Sequence, residues 1–468
     1  MLPQERIHAM KILIVGCGRA GFSLAKDLTS DGDAELTVIE RDPGAYERAR
    51  ESIDAMLILG DALNAETLIK AGVRNADAVV CVTSADETNI LVCICAKRLG
   101  AAHTVALVRN PGYAFDMFRH WKELGVDVMV NPEHEAAREI SRLLRFPTAD
   151  DIDLFVGGRV ELVSFKVSEE MKFFGGKSVA QIFYKKNLNV LLAMVVRADE
   201  VLIPNGDLTF STNDVIWVIG RPSDVMDFFA LAGALAEKIK NTSIIGGGSV
   251  ARYLIPILTR HVRGAGIKLI EADRKKCEDF SIEFPRCLVL NADGSDEDVL
   301  SSEAVDRNGA VVCLTERDEV NAVIAMYSLQ LGVRKVIVKI DQISRAMVQN
   351  LGIGSVVSPK NLLCAEIMRC LRGFSNAPGG SVRTMHRVYD NGTDRVEALE
   401  FAVTGEKKCL DRPLRELKIK KGVLIGCIVR NANILMPSGE TEIVRGDVVI
   451  VIAKNGRLHD LDDVLEDA

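Results

Sequence analysis

The stretch ILIVGCGRAGFSLA, Ile12 to Ala25, holds three glycines at G-x-G-x-x-G spacing between an apolar run and a helical pattern. That spacing suits a pyrophosphate. Gly16 permits the tight turn, Gly18 lets the backbone approach the phosphates, and Gly21 lets the helix pack close to the strand. Cys17, Arg19 and Ala20 complete the turn. The free N–H groups and the dipole at the helix start then favour an anion. Glu40 ends the next apolar run, ELTVIE, about 20 residues on, where a carboxylate accepts hydrogen bonds from ribose hydroxyls. A carboxylate repels a 2′-phosphate, which favours NAD over NADP; Arg41 follows at once and blurs that preference.

A looser copy, SIIGGGSVARYLI, begins at Ser243. Its turn is Gly246, Gly247, Gly248, Ser249 and Val250, closed by Ala251, an accepted third residue of the motif. Glu271 follows about 20 residues on, and Asp273 comes just after it. Further candidates stand at the carboxyl ends of expected strands, where such folds bind ligands. Asp61 and its match Asp293 would lie near an adenosine, or else cap the next helix. Thr83, Ser84 and Thr315 offer hydroxyls to ribose or phosphate, or again caps. Arg109 and Lys339 would offset phosphate charge, against the plainer reading of ordinary surface charge.

These residues need a scaffold, and the chain writes it twice. CVTSADETNI from Cys81 matches CLTERDEVNA from Cys313, and VLLAMVVRADEVLIPNGD from Val190 matches VLIGCIVRNANILMPSGE from Val423. The collinear matches keep a near-constant offset of about 230 residues, the mark of a duplicated module. Each module opens with buried-strand runs alternating with helical patterns, such as KILIVG, ELTVIE, AMLILGD and DAVVCVT, which predicts a parallel sheet covered by helices. Each closes with alternating strands and little helix. The expected fold is therefore α/β: two Rossmann-like parallel-sheet domains at 10–148 and 240–374, followed by small β-rich domains at 149–233 and 382–468. FPTADDIDLFVGG and GFSNAPGGS read as linkers, and each glycine turn is expected at a sheet edge rather than in the core.

The 468 residues are 48% hydrophobic and 26% charged, the profile of a globular chain with sizeable cores. A net charge of −7 makes a poor general binder of nucleic acid. The eleven cysteines form no regular framework, and Cys93 and Cys95 read as small apolar residues of a buried helix rather than a zinc or redox pair. The seven histidines show no metal spacing. No apolar run is long enough to span a membrane, and MLPQERIHA reads as an upstream leader rather than a signal peptide. A dehydrogenase would need an acid or base beside the nicotinamide. No His, Lys or Cys recurs in both β domains to serve as one, and Asp214 and Asp447 read as turn residues. No catalytic or metal-ligating residue is assigned.

MKILIVGCGRAG, GDA, VTSADETNI and the order Rossmann–β–Rossmann–β resemble the regulatory subunit of Trk-type bacterial and archaeal potassium uptake systems, built from tandem RCK (or KTN) domains, each with a small RCK C-terminal domain. The resemblance covers the chain from Met10. It implies a cytoplasmic protein, peripheral on the inner face of the cell membrane, that docks on a potassium-translocating membrane subunit. It implies a ring-forming homo-oligomer, a tetramer in preference to a dimer. It also implies binding of NAD(H) and of ATP or ADP, with the occupant altering transport and no covalent chemistry. Gly16, Cys17, Gly18, Arg19 and Ala20 fall on the family's phosphate turn, Glu40 on its ribose acid, and Thr83 and Ser84 on its fourth-strand contacts. Leu107 stands where related chains often carry Arg, and Lys339 is the better match in the second half. Ala292 and Glu316 replace the equivalents of Gly60 and Ser84, so the two sites are expected to differ in ligand or affinity. The competing readings are a module serving another cation channel or exporter, and an NAD-dependent oxidoreductase.

Overall fold

The computed structural model describes residues 10–466 apart from 32–33, 111–112, 114–117, 147, 170, 185–187, 234–238, 262–265, 305–308, 344, 354, 375–381, 391–392, 432, 457 and 459. The leader 1–9 thus lies outside the described residues, as does most of GFSNAPGGS.

The first sheet has strands β1 (Met10–Val15), β2 (Ala34–Glu40), β3 (Met56–Leu59), β4 (Ala78–Cys81), β5 (His103–Leu107) and β6 (Val128–Val130), in the order 3-2-1-4-5-6. All neighbours pair in parallel. Its inner strands β1, β4 and β5 are mostly apolar because both faces are covered, the usual state of a parallel sheet, whereas edge strand β3 is partly exposed. Ile12 and Ile14 face one core with Leu24, Ala25 and Leu28 of the helix Arg19–Asp31. Leu13 and Val15 face the other with Leu68, Ile90, Cys93 and Ala96 from the helices Ala65–Lys70 and Asp86–Leu99. Cys93 is buried there as expected, but Cys95 of the same helix is exposed, so only one of that pair serves as core. All eleven cysteines are free thiols.

A five-stranded antiparallel sheet follows: β7 (Ala149–Phe155), β8 (Val160–Lys166), β9 (Val190–Arg197), β10 (Glu200–Leu202) and β11 (Val215–Gly220), in the order 10-9-11-8-7. The stretch read as a linker, FPTADDIDLFVGG, therefore carries edge strand β7. Its buried Ala149, Ile152 and Phe155 are spaced among aspartates, and charge on an edge strand discourages pairing with other chains. The helix Pro222–Ala232 contributes Phe228 and Phe229, which meet Phe165 and Phe146 in an aromatic layer on one face.

The second half repeats this plan. The parallel strands β12 (Asn241–Ile245), β13 (Gly266–Glu271), β14 (Cys287–Asn291), β15 (Ala310–Cys313), β16 (Lys335–Lys339) and β17 (Ser355–Val357) run in the order 14-13-12-15-16-17. The antiparallel strands β18 (Val382–Asp390), β19 (Arg395–Ala402), β20 (Val423–Arg430), β21 (Asn433–Leu435) and β22 (Val448–Lys454) run in the order 18-19-22-20-21.

The chain gathers into two compact units that do not follow chain order. One comprises the residues up to Glu135 together with Lys360–Ala377. Within it the helix Pro359–Phe374 places Leu363, Cys364, Ile367 and Leu371 in the core against Ile12, Ile14, Val80 and Val105 of the first sheet. The other unit holds Ala136–Pro359 and Pro378–Ala468. There the inner faces of the two antiparallel sheets meet over Leu162, Met194, Trp217, Val396, Cys427 and Ile450. Backbone-to-carboxylate bonds from Val156 N–H to Glu400 and from Val201 N–H to Asp394 tie the two sheets together.

Each antiparallel sheet contains the same buried ion pair. Arg197 donates through Nε and Nη2 to both oxygens of Asp214, at 2.8 Å each, and Arg430 does the same to Asp447 at 2.9 Å. Both aspartates are 1% exposed and also accept a backbone N–H, from Ser211 and Val444. Among the described residues no helix is long and apolar enough to cross a membrane.

Candidate functional site

The order 3-2-1-4-5-6 sets the geometry. All strands are parallel, so Asp61, Glu40, the turn 16–21, Thr83 with Ser84, and Arg109 all lie at or just after the carboxyl ends of β3, β2, β1, β4 and β5. Strand order reverses between β1 and β4, the position where open α/β sheets bind ligands. The second half brings Asp293, Glu271, the turn 246–251, Thr315 and Lys339 together in the same way. β1 and β12 are central strands, so neither glycine turn is at an outer edge of its sheet, contrary to the sequence expectation. β1 pairs on both sides, with β2 and β4, and β12 with β13 and β15, and the turns follow them.

The turns are tight for stated reasons. Gly16 adopts φ +95 and Gly246 φ +104, a backbone region that side chains disfavour. A Cβ on Gly16 would also press Thr83 at 3.0 Å, and one on Gly246 would press the backbone of Leu314 and Thr315 at 2.8 Å. A Cβ on Gly21 would lie 2.0 Å from the Gly16 carbonyl oxygen. By contrast, a Cβ on Gly18 meets nothing within 4 Å, and one on Gly248 only the Leu314 carbonyl oxygen at 3.9 Å. The fold itself therefore does not require glycine at 18 and 248. Arg19 and Ser249 are exposed at the starts of their helices, Ala20 is half-buried, and Val250 is packed inward.

The two acids hold these turns. Glu40 is 8% exposed; its Oε2 accepts from Cys17 N–H at 2.5 Å and its Oε1 from Arg41 and Asp42 N–H at 2.7 and 2.8 Å. Glu271 repeats this with Gly247 N–H at 2.6 Å and Asp273 N–H at 2.8 Å. Glu40 Oε2 and both Glu271 oxygens accept one bond each here, so a second lone pair on them remains for a ribose hydroxyl. Cys17 is buried, and burial first and the Glu40 charge second push its thiol up to about 11. It stays neutral and adds no negative charge beside a phosphate. Asp42 and Asp273, whose backbones Glu40 and Glu271 grip, cap the following helices. We expect Glu40→Ala to weaken NAD(H) binding at the first turn by ~1–3 kcal/mol, the scale of a lost charge-assisted hydrogen bond, and Glu271→Ala to do so at the second. Calorimetry giving wild-type affinities for both variants would place the ribose elsewhere.

The other candidates separate. Asp61 and Asp293 are exposed and accept from the N–H two residues on, Leu63 and Ser295. They do not cap the next helices; Asn64 and Asp296 do that. The Ser295 N–H, then its hydroxyl, hold the Asp293 carboxyl below its ordinary range. Thr83 and Thr315 donate their hydroxyls to Asn89 and Asn321 at 2.7 Å. Ser84 is exposed. Glu316, in its place, lies 3.7 Å from Lys276, a cation that moderates the repulsion expected of it. Leu107 is fully buried, whereas the matching Lys339 is half-buried at the end of β16. Arg109 pairs with Glu133 at 3.4 Å. The first turn thus carries an exposed cation at Arg19, and the second a half-buried one at Lys339.

Sequence reasoning missed Asn89, Asn321, Asp86 and Asp318 as working residues. Asn89 and Asn321 are fully buried and hold the Thr83 and Thr315 backbones while donating to the Leu107 and Lys339 carbonyls. Asp86 accepts from Arg109 and Asn110 N–H; Asp318 accepts from Asp341, Gln342 and Ile343 N–H. Their recurrence in both halves was the available signal.

Comparison with known proteins agrees with this plan. The TrkA-N domain matches residues 12–132 and 242–359, and the TrkA-C domain residues 162–233 and 398–466. The Trk system potassium uptake protein TrkA homolog 1 of Methanosarcina mazei is 30% identical over 95% of this chain and 97% of its own. The TrkA homolog of Archaeoglobus fulgidus is 30% identical over 97% and 100%. Among solved structures, the GsuK channel superposes with a TM-score of 0.62 at 17% identity, over 97% of this chain and 78% of the channel chain. The GsuK channel bound to NAD gives 0.60 at 16% identity, with the same coverage. At such identity these show the shared fold. The chain belongs to the TrkA family of Trk-system potassium uptake proteins, with the TrkA-N and TrkA-C pair present twice.

Proposed function

We propose that the chain is the nucleotide-binding regulatory subunit of a Trk-type potassium transporter, peripheral on the cytoplasmic face of the membrane and acting as a homo-oligomer. The observation that carries this reading is the repeated construction of a glycine turn held by a strand-end carboxylate, at the strand-order reversal of each parallel sheet. NAD(H) is the expected ligand, with ATP or ADP as competitors for the same turns. Family membership and the NAD-bound state of a channel with the same fold support it. The domain that follows each parallel sheet along the chain is a β sheet whose repeated charges, Arg197–Asp214 and Arg430–Asp447, are internal struts, so binding rather than turnover is the expected output.

A ligand shifts an equilibrium between two subunit arrangements only by its differential affinity for them, ordinarily ~1–3 kcal/mol per coupled site. Several sites in one oligomer then suffice to switch a transporter. Titration of the purified chain with NADH, NAD and ATP, followed by analysis of the recovered nucleotides, tests this. Saturable binding with the nucleotides returned intact is expected; steady NADH consumption with any substrate contradicts it. Service to a different cation channel is the second reading, favoured by the likeness to the GsuK channel. Co-purification of the membrane partner decides between them.

A further inference from the structure

We infer that Asn131 is a positioning residue that relays occupancy of the first glycine turn to the start of the helix Pro132–Arg145. This rests on the reading of that turn as a nucleotide site. The relay begins at a close packing contact and continues through hydrogen bonds joined by a short backbone segment after β5. The turn sits on Thr83, which a Cβ at Gly16 would touch at 3.0–3.1 Å through side chain and backbone. Thr83 N–H and hydroxyl both donate to Asn89 Oδ1, at 2.9 and 2.7 Å. Asn89 Nδ2 donates onward to the Leu107 carbonyl at 2.9 Å, at the end of β5. On the same helix as Asn89, Asp86 accepts from the N–H groups of Arg109 and Asn110 at 2.9 and 2.7 Å, fixing the segment after β5. Asn131 Nδ2 then donates to the Arg109 carbonyl at 3.1 Å. Asn131 Oδ1 accepts from His134 N–H at 2.8 Å, and its backbone carbonyl accepts from Glu135 N–H at 3.0 Å, so it caps the helix. Arg109 adds a second tie to the same helical turn through Glu133.

One side chain therefore joins the segment behind the candidate phosphate site to the cap of a helix. Its centre, Asn89, is fully buried and bonded on both sides, and a satisfied buried amide of this kind is rigid, which is the basis for expecting a displacement at Thr83 to reach Asn131. The helix is also the stretch along which the chain passes, after Glu135, from one compact unit into the other.

Asn131→Asp separates relay from cap. Aspartate keeps the capping oxygen, favoured at a helix start, but loses the donor to the Arg109 carbonyl. Asn131→Ser, which also retains a capping oxygen, is the second variant. Both are made in the Gly248→Val background, so that only the first turn takes up NADH. Binding is followed by calorimetry, and the effect on residues 132–145 by hydrogen exchange with and without NADH. In the parent, NADH slows exchange in 132–145. In both variants folding is kept and NADH affinity stays within about twofold, while the NADH-dependent slowing falls by ~2–30-fold, the range for a residue that carries coupling without touching ligand. A parent that binds NADH with no change in 132–145, or variants that keep the full slowing, overturns the relay. A parent that binds no NADH overturns the nucleotide reading instead.

Discussion

Gly18→Val and Gly248→Val together are expected to abolish NADH binding without unfolding the chain. Neither position has the left-handed backbone seen at Gly16 and Gly246, and neither would press a protein atom closer than 3.9 Å with a new Cβ. The valine side chain then projects into the space that a pyrophosphate needs at the mouth of the helix. Each single variant should remove one class of site and leave the other, because the two turns belong to separate sheets. Loss of the close backbone approach removes several N–H contacts to phosphate at once, so at least about a hundredfold in affinity is expected, from charge-assisted bonds near 1.5–3 kcal/mol each. Circular dichroism and melting should match the wild type. Calorimetry showing unchanged total stoichiometry in the double variant contradicts the assignment.

The largest effect on stability is expected at the two buried ion pairs. Asp214→Ala leaves the Arg197 guanidinium without its bidentate partner and Ser211 N–H without its acceptor; Asp447→Ala does the same to Arg430 and Val444. Breaking a fully buried pair from one side costs about 3–5 kcal/mol. Arg197 and Arg430 keep 37% and 33% of their side chains in solvent, which screens the orphaned charge, so about 3 kcal/mol is expected for each. Replacing both members, as in Arg197→Met with Asp214→Leu, should recover much of the loss, because no uncompensated charge then stays buried. Urea denaturation of the second unit reads this out. Single variants with wild-type midpoints mean that the pairs are not struts.

Sequence spacing disclosed the elements that carry strong periodicity and left open what they meet. The glycine turns and their acids were legible, because G-x-G-x-x-G and a carboxylate about 20 residues on are local chemistry. The grip of Glu40 on Cys17 N–H was not, since it depends on β1 and β2 lying side by side in register, Val15 against Ile39. Thr83 was legible as a strand end, but a hydroxyl at a strand end serves a ligand or a neighbour equally well. Only the position of Asn89, six residues on in the first turn of the following helix, shows which neighbour takes it. Arg197 and Arg430 recur at the same offset as Asp214 and Asp447, and the pairing could have been inferred from that joint recurrence. Strand β7 was read as a linker because its three aspartates masked a spacing of Ala149, Ile152 and Phe155 that only the finished sheet makes meaningful. The apolar stripe of the helix Pro359–Phe374 could be seen in sequence. That it covers the first sheet could not, because an amphipathic pattern names a buried face and not the surface that buries it.

Potassium uptake in cells deprived of this protein, restored with either the wild-type chain or the Gly18→Val, Gly248→Val chain at equal abundance, tests nucleotide control most directly. The wild-type chain should restore uptake and the double variant should not, although both reach the membrane partner. Full restoration by a folded double variant that binds no NADH or ATP contradicts control of transport through these two turns.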